Sequence, residues 1–357
     1  MKRMIIFFLP ILACASIPDF ELLQGSQGTA WKKLKKEDFE EVRFYKDLFQ
    51  KNLSDAPEKT SFRIPEVAHF IWIGPRSFPD SSIKNLESWQ TLHPHWTFKF
   101  WTDDENRACP MAGMEKHLIS ELDLFYLAPF LERTKNVGEK SDMLRYEILF
   151  REGGVYIDHD VFCYQSFSAL NPVYDFYAGL DTPHSAEGQR TQIFPGNCLI
   201  GSIPNHPLVQ SIMQKISERW EIVEKEFPRS EVSRVMHRTF LAFTEAIREN
   251  IDDTAYKNIL FPALYFFPDL VYSKKMRKKL QLENVALASH SFSGLWTDHP
   301  PTEITALKTK YRKQMKKLRR RLNLVTYLTI ASLLLITLLL ITHLKRGRNV
   351  YFKCRRG

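Results

Sequence analysis

Ser141-Asp142-Met143-Leu144-Arg145-Tyr146-Glu147-Ile148-Leu149-Phe150-Arg151-Glu152-Gly153-Gly154-Val155-Tyr156-Ile157-Asp158-His159-Asp160 is the stretch from which the rest of this 357-residue chain is read. Ser141 is a good N-cap. Residues 142–152 are helix formers without Gly or Pro, which predicts a helix. Asp142 and Arg145, three apart, share a face of it. Gly153-Gly154 ends the helix, because glycine tolerates the left-handed conformation there. Val155 to Asp158 then reads as a short strand. Its alternation sends Tyr156, Asp158 and Asp160 one way and Val155, Ile157 and His159 the other. The aliphatic pair faces a core while both carboxylates face a cleft.

Two carboxylates two residues apart at a strand end suit one hard cation. Mg²⁺ or Mn²⁺ takes one or two carboxylates together with substrate phosphates. Such an ion stabilises charge developing on a diphosphate leaving group. An isolated Asp-x-Asp is more often an ordinary polar turn. The whole stretch is far more specific than the tripeptide.

The run SDMLRYEILFREGGVYIDHD resembles the DXD-containing sugar-binding region of GT-A glycosyltransferases. These include yeast-type α-mannosyltransferases, mannosyl-inositol-phosphorylceramide synthases and the glucosyltransferase domains of large clostridial toxins. The resemblance implies an α/β fold: a Rossmann-like GT-A nucleotide-diphospho-sugar transferase domain with extra helices. It implies Mn²⁺ or Mg²⁺ as cofactor and a nucleotide-sugar donor. Asp160 is then the direct metal ligand. Asp158 contacts the metal, directly or through water, or the ribose and sugar. Asp142 and Arg145 hold sugar hydroxyls, and Tyr156 lines the donor site.

Weaker signals flank this run. In "HFIWIG", Trp72 matches the family position that stacks on the nucleotide base; the alternative is a core Trp. Asn197 opens "NCLIG" and either bonds the sugar or is a structural amide. His290 and Trp296 resemble the family's closing His/Ser…Trp element, which reaches the diphosphate and metal. The alternative for His290 is a satisfied polar residue at a strand end. The family's Thr-Gly-Pro is replaced by His237-Arg238-Thr239-Phe240, so the acceptor side departs from the pattern. No catalytic base is evident. The resemblance suggests retention at the anomeric carbon, where leaving-group stabilisation dominates.

The chain divides by composition. Residues 1–22 form a hydrophobic N-terminus, read as a signal peptide or a short anchor. Residues 23–63 read as amphipathic helices and a linker, packed on the domain or standing as a stalk. The transferase domain is expected over 64–300. Within it, Pro65–Gly74 is a first strand, Ser82–Leu92 a helix and Trp96–Trp101 a second strand. Thr102-Asp103-Asp104-Glu105 reads as a capping box opening a helix, and 115–135 as helical. Residues 174–180 read as a strand, 181–192 as a polar flap, and 208–227 and 232–250 as amphipathic helices. Residues 259–268 read as strand-turn-strand, and 285–288 as a late strand.

A basic juxtamembrane segment spans 301–322, a transmembrane helix 323–344 and a basic tail 345–357. Leu324 to Leu344 carries no charge over 21 residues. As a helix it spans roughly 31 Å at ~1.5 Å per residue, which matches a bilayer core of roughly 30 Å. A single-pass membrane protein is expected. A cleaved leader places the domain outside. Nine Lys/Arg before the span against six after it place the domain on the cytoplasmic side. The sequence leaves the side open.

The formal charge of +9 misleads. Residues 308–357 hold 15 Lys/Arg and no acid, leaving 35 Lys/Arg against 41 Asp/Glu in the body. An acidic body argues against a nucleic-acid partner. The five scattered cysteines offer no Cys-x-x-Cys pair, so neither a zinc ribbon nor a disulfide framework is indicated. The reading is a membrane-anchored, metal-dependent hexosyltransferase using a GDP-mannose or UDP-glucose class donor, with a lipid, glycan or protein acceptor. The alternatives are a non-catalytic nucleotide-sugar or glycan binding module and a hydrolase with paired carboxylates. Glycosidase carboxylates stand about 5–9.5 Å apart across the scissile bond, which neighbours on one strand do not suit. A phosphotransferase lacks its Walker loop here.

Overall fold

In the computed structural model, residues 19–53, 63–185 and 191–296 are described. One compact unit ends at Phe292 and a second runs from Ser293.

The first unit is built on a seven-stranded sheet. Its strands are β1 (Val67–Ile71), β2 (Thr97–Thr102), β3 (Met114–Leu118), β4 (Gly154–Ile157), β6 (Phe176–Leu180), β7 (Pro195–Ser202) and β8 (Asn258–Phe261). Their order is β3-β2-β1-β4-β7-β6-β8. All neighbours run parallel except where β7 lies antiparallel between β4 and β6. The inner strands β4 and β6 and the edge strand β8 are buried at every residue, as expected of strands covered on both faces. A separate ribbon pairs β5 (Val161–Cys163) with β9 (Ala288–His290), antiparallel. The architecture is mixed α/β with a parallel-rich central sheet, of the kind the resemblance implies.

The principal helices are α1 (Phe20–Gln24), α2 (Phe39–Asn52), α3 (Asp80–Leu92), α4 (Val137–Glu152), α5 (Pro207–Glu226) and α6 (Leu241–Asn250). Trp89 on α3 and Trp220 on α5 are among the largest fully buried side chains. Burying such a side chain contributes about 1.5–3 kcal/mol, before ordering costs.

The junction from α4 to β4 is tight. Gly153 has φ 66° and Gly154 φ 93°. A Cβ at Gly154 would stand 2.6 Å from the Val67 carbonyl oxygen of β1. Two glycines therefore both end the helix and let β4 enter the sheet beside β1.

Several expectations are corrected. Helix α4 begins at Val137, not after Ser141: Asn136 is the cap, its side chain accepting from the Glu139 amide. No helix follows Thr102. Its hydroxyl accepts from the Asp104 amide, while Asp103 accepts from the Gly74 amide, so these acids order loops. Residues 115–135 are mainly not helical. They hold β3, a polar edge strand paired with β2, a single 3-10 turn at Ile119–Glu121 and a short helix at Ala128–Leu131. The predicted 232–250 helix is broken by a π turn at Met236–Phe240. After β8 the chain forms short helical turns instead of a second strand.

Residues 19–53 pack on the unit and do not stand off as a stalk. Phe20, Leu23, Tyr45 and Phe49 are buried. Gln24 donates to the Asp181 carbonyl at 2.7 Å and accepts from the Ala263 amide at 2.9 Å. Among the described residues no helix is long and apolar enough to cross a membrane. The N-terminal hydrophobic run, the predicted span 323–344 and its basic flanks lie outside the described residues.

Candidate active site

The C-terminal ends of β1, β4 and β6 and the start of β7 share one edge of the sheet, where α/β folds bind ligands. Trp72 follows β1, Asp158 follows β4, Asp181 follows β6, and Asn197 lies near the start of β7.

Asp158 to Asp160 is a turn, not a continuation of β4. The Val161 amide donates to the Asp158 carbonyl at 3.1 Å. Helix α3 holds this turn from behind. Asn85 donates to the His159 carbonyl, Ser82 bonds the His159 ring and Trp89 donates to the Val161 carbonyl, at 3.1, 2.9 and 3.0 Å. His159 is thus drawn toward α3, leaving the two carboxylates to meet each other. The β5–β9 ribbon then pairs Val161 with His290. A residue 130 positions from Asp160 arrives beside it.

Asp158, Asp160 and His290 offer three ligand atoms within 4.8 Å of one another. His290 Nε2 stands 3.0 Å from Asp160 Oδ1 and 3.9 Å from Asp158 Oδ2. A small octahedral cation such as Mg²⁺, with ligands at about 2.1 Å, places neighbouring donor atoms roughly 3 Å apart. The donor set therefore fits a divalent cation. His290 is held well above the ordinary histidine value: burial opposes its charge, and Cys198 and Asp160 outweigh burial. Among the described residues its Nδ1 is buried without a hydrogen-bond partner. Asp158 Oδ1 is taken by the Tyr156 hydroxyl at 2.6 Å, which leaves Oδ2 toward His290.

Beside this triangle lies a second cluster. Arg145 is buried and links everything around it. Its guanidinium meets Asp142 Oδ1 at 2.6 Å and Asp158 Oδ1 at 3.5 Å, donates to the Asn197 carbonyl at 2.6 Å, and lies over the Tyr156 ring at 4.3 Å. Burial opposes its charge, yet Asp142, Tyr156 and Asp158 hold its pKa above the ordinary value. Burial pushes the Asp142 carboxyl up, with Arg145, Thr239 and Asn197 pulling it back. Asn197 Nδ2 donates to Asp142 Oδ1 at 3.3 Å.

The structure thus brings together Asp142, Arg145, Tyr156, Asp158, Asp160, Asn197 and His290. Trp72 is nearby but largely buried, its ring edge-on to Phe78 and His159 and its Nε1 donating to the Arg76 carbonyl at 2.8 Å. Trp296 belongs to the second unit.

Residues 79–177 match the family described as "Glycosyltransferase sugar-binding region containing DXD motif". The chain carries the DXD region of a glycosyltransferase. The match includes α4, the double glycine and all of Asp142 to Asp160, and it places the protein among the glycosyltransferases as an enzyme. The chain is similar to an uncharacterized glycosyltransferase of Acanthamoeba polyphaga mimivirus, 26% identical over 215 residues, covering 59% of this chain and 76% of that protein. It is also similar to inositol phosphoceramide mannosyltransferase 2 of Schizosaccharomyces pombe, 26% identical, covering 43% of this chain but only 39% of the relative. Among solved structures, PaToxG glycosyltransferase aligns with TM-score 0.42 and 17% identity, over 70% of this chain and 87% of that one.

Sequence reading missed three residues in this glycosyltransferase's site. Thr239 donates to Asp142 Oδ2 at 2.5 Å from the π turn. Ser291 lies 3.4 Å from Asp160 Oδ2 and follows His290 directly. Asp181 ends β6 at the same edge. Burial pushes its carboxyl up to about 6, with His184 and His290 pulling the other way. An acid following a fully apolar strand was the available signal for Asp181. Thr239 was marked only as part of His237-Arg238-Thr239-Phe240, and that stretch was read for the acceptor side.

Proposed function

We propose that this protein is a membrane-anchored, metal-dependent GT-A glycosyltransferase that moves a hexose from a nucleotide-diphosphate sugar to a lipid, glycan or protein acceptor. The observation that carries the reading is the Asp158–Asp160–His290 triangle set against the Asp142–Arg145–Asn197 cluster. A donor has two parts to hold, a diphosphate and a sugar, and the site has two matching poles.

A divalent ion on Asp158, Asp160 and His290 would neutralise charge developing on the departing diphosphate. An imidazole nitrogen in the set favours Mn²⁺ over all-oxygen Mg²⁺. Arg145 adds a fixed positive charge that needs no reorganisation during the reaction. Tyr156 and Arg145 hold Asp158 Oδ1, so Oδ2 is the oxygen that would ligate an ion. Asp142 and Asn197 bind hexose hydroxyls, and Trp72 meets the nucleotide base. Retention at the anomeric carbon is proposed with the resemblance, since leaving-group stabilisation is the chemistry these residues offer.

The donor is of the GDP-mannose or UDP-glucose class. The similarity to an inositol phosphoceramide mannosyltransferase supports a mannose donor and a membrane acceptor. A single span at 323–344 would hold the enzyme at such an acceptor.

Donor turnover tests this. UDP- and GDP-sugars are incubated with the full chain, with Mn²⁺ and with EDTA, and Asp160→Asn runs alongside. One donor is expected to be consumed, with EDTA or the substitution lowering kcat by at least about a hundredfold, the scale of losing one group that stabilises transition-state charge. Equal turnover with EDTA would remove the metal from the reading. A folded wild type with no turnover would leave the non-catalytic module.

A further inference from the structure

The acceptor capacity of Asp142 can be counted. An ionised carboxylate offers about four lone-pair directions. Oδ1 accepts from Arg145 at 2.6 Å and from Asn197 Nδ2 at 3.3 Å. Oδ2 accepts from Thr239 Oγ1 at 2.5 Å. One direction, on Oδ2, remains.

Thr239 reaches Asp142 from a π turn, Met236–Phe240, set between a short helix at Glu231–Val235 and α6. π turns occur mostly as single turns within helices and often at functional sites. This one is fastened by its neighbour. Arg238 is 2% exposed, lies over the Trp220 ring at 3.9 Å and pairs with Glu139 at 3.3 Å and with Glu224. Glu139 stands on α4 one turn before Asp142. The π turn is therefore tied to α4 at two adjacent points, Arg238 to Glu139 and Thr239 to Asp142.

The Thr239 hydroxyl has a second acceptor within reach, the Val235 carbonyl at 2.8 Å. It has one proton to give. Giving it to Val235 would turn an oxygen lone pair toward an ionised carboxylate oxygen at 2.5 Å, which is repulsive. Charge-assisted O–H···O⁻ bonds are also the shorter ones. The proton goes to Asp142.

We propose that Thr239 is a positioning residue of the donor site: it occupies one side of Asp142 Oδ2, leaving a single acceptor direction for one hydroxyl of the transferred hexose. This rests on the donor-site reading above. It predicts that Thr239 matters for the sugar and not for the nucleotide.

Two measurements on the full chain separate these. One is the Kd for GDP and UDP with Mn²⁺. The other is kcat/KM for hydrolysis of GDP-mannose and UDP-glucose. Thr239→Val keeps the shape and removes the hydroxyl, whereas Thr239→Ser keeps the hydroxyl. Thr239→Val is expected to bind the nucleoside diphosphate like wild type and to lose on the order of ten- to a hundredfold in kcat/KM, the scale of one hydrogen bond to a charged group. Thr239→Ser is expected to recover most of that loss.

Unchanged kcat/KM in Thr239→Val overturns the proposal, as does an equal loss in Thr239→Ser. A parallel loss of nucleotide affinity assigns Thr239 a general structural role and overturns it too. A wild type that binds no nucleotide and turns over neither donor overturns the donor-site reading, and this inference with it.

Discussion

His69 on β1 carries a proton whose place is set by its partners. Its Nε2 faces the Gly153 carbonyl at 2.8 Å, so that nitrogen donates. Its Nδ1 receives the Trp101 indole N–H at 3.2 Å, so that nitrogen accepts. Only the neutral ring satisfies both. Burial lowers its pKa to about 4. Its folded value lies below its unfolded one, so the unfolded chain binds the extra proton first. Stability from this group is full above about pH 6.5 and is lost as pH falls toward about 4. The expected result is that wild type melts well above His69→Asn at pH 7, and that this gap narrows steadily on acidification to pH 4. A gap independent of pH contradicts the assignment. Legibility at this scale followed chemistry. Asp142, Arg145, Asp158 and Asp160 could be read because unlike charges three apart and like charges two apart imply a shared face or ion. His69 and Thr239 could not, since their partners lie on elements that only folding brings near.

At the scale of elements, α4, the double glycine and β4 form the hinge that aims the site. Gly154 has φ 93°, and a Cβ there would meet the Val67 carbonyl oxygen at 2.6 Å. Gly154→Ala must therefore shift β4 against β1, and with it Tyr156 and Asp158. A loss of about 2–4 kcal/mol, from a strained backbone and a backbone clash together, is expected in denaturant unfolding. A loss under about 0.5 kcal/mol, the range of neutral surface changes, contradicts this view of the junction. The double glycine was legible because glycine after a helix has one common use. The edge strand β3 was not. Met-Glu-Lys-His-Leu lacks a clean hydrophobic alternation, and pairing with β2 overrides its helical look. The break in 232–250 was equally hidden, because its residues keep a helical period while the ties of Arg238 and Thr239 to α4 come from a distant element.

Across the whole unit, strand order places the site residues in sequence along one edge. Trp72 after β1, Asp158 after β4, Asn197 at the start of β7 and Asp181 after β6 run from the proposed base end to the proposed sugar end. The N-terminal segment helps hold that edge, since Gln24 ties the Asp181 carbonyl to the Ala263 amide. The meeting of His290 with Asp160 was legible only through resemblance, because β9 joins β5 across more than a hundred residues. We propose that this edge holds one divalent ion on Asp158, Asp160 and His290. Calorimetric titration of Mn²⁺ into wild type and Asp160→Asn, each shown folded by circular dichroism, tests it most directly. The account predicts one Mn²⁺ per wild-type chain and, in Asp160→Asn, affinity weakened by at least about tenfold, the scale of tampering with a metal site's supporting partners. Equal Mn²⁺ affinity in the two proteins would contradict it.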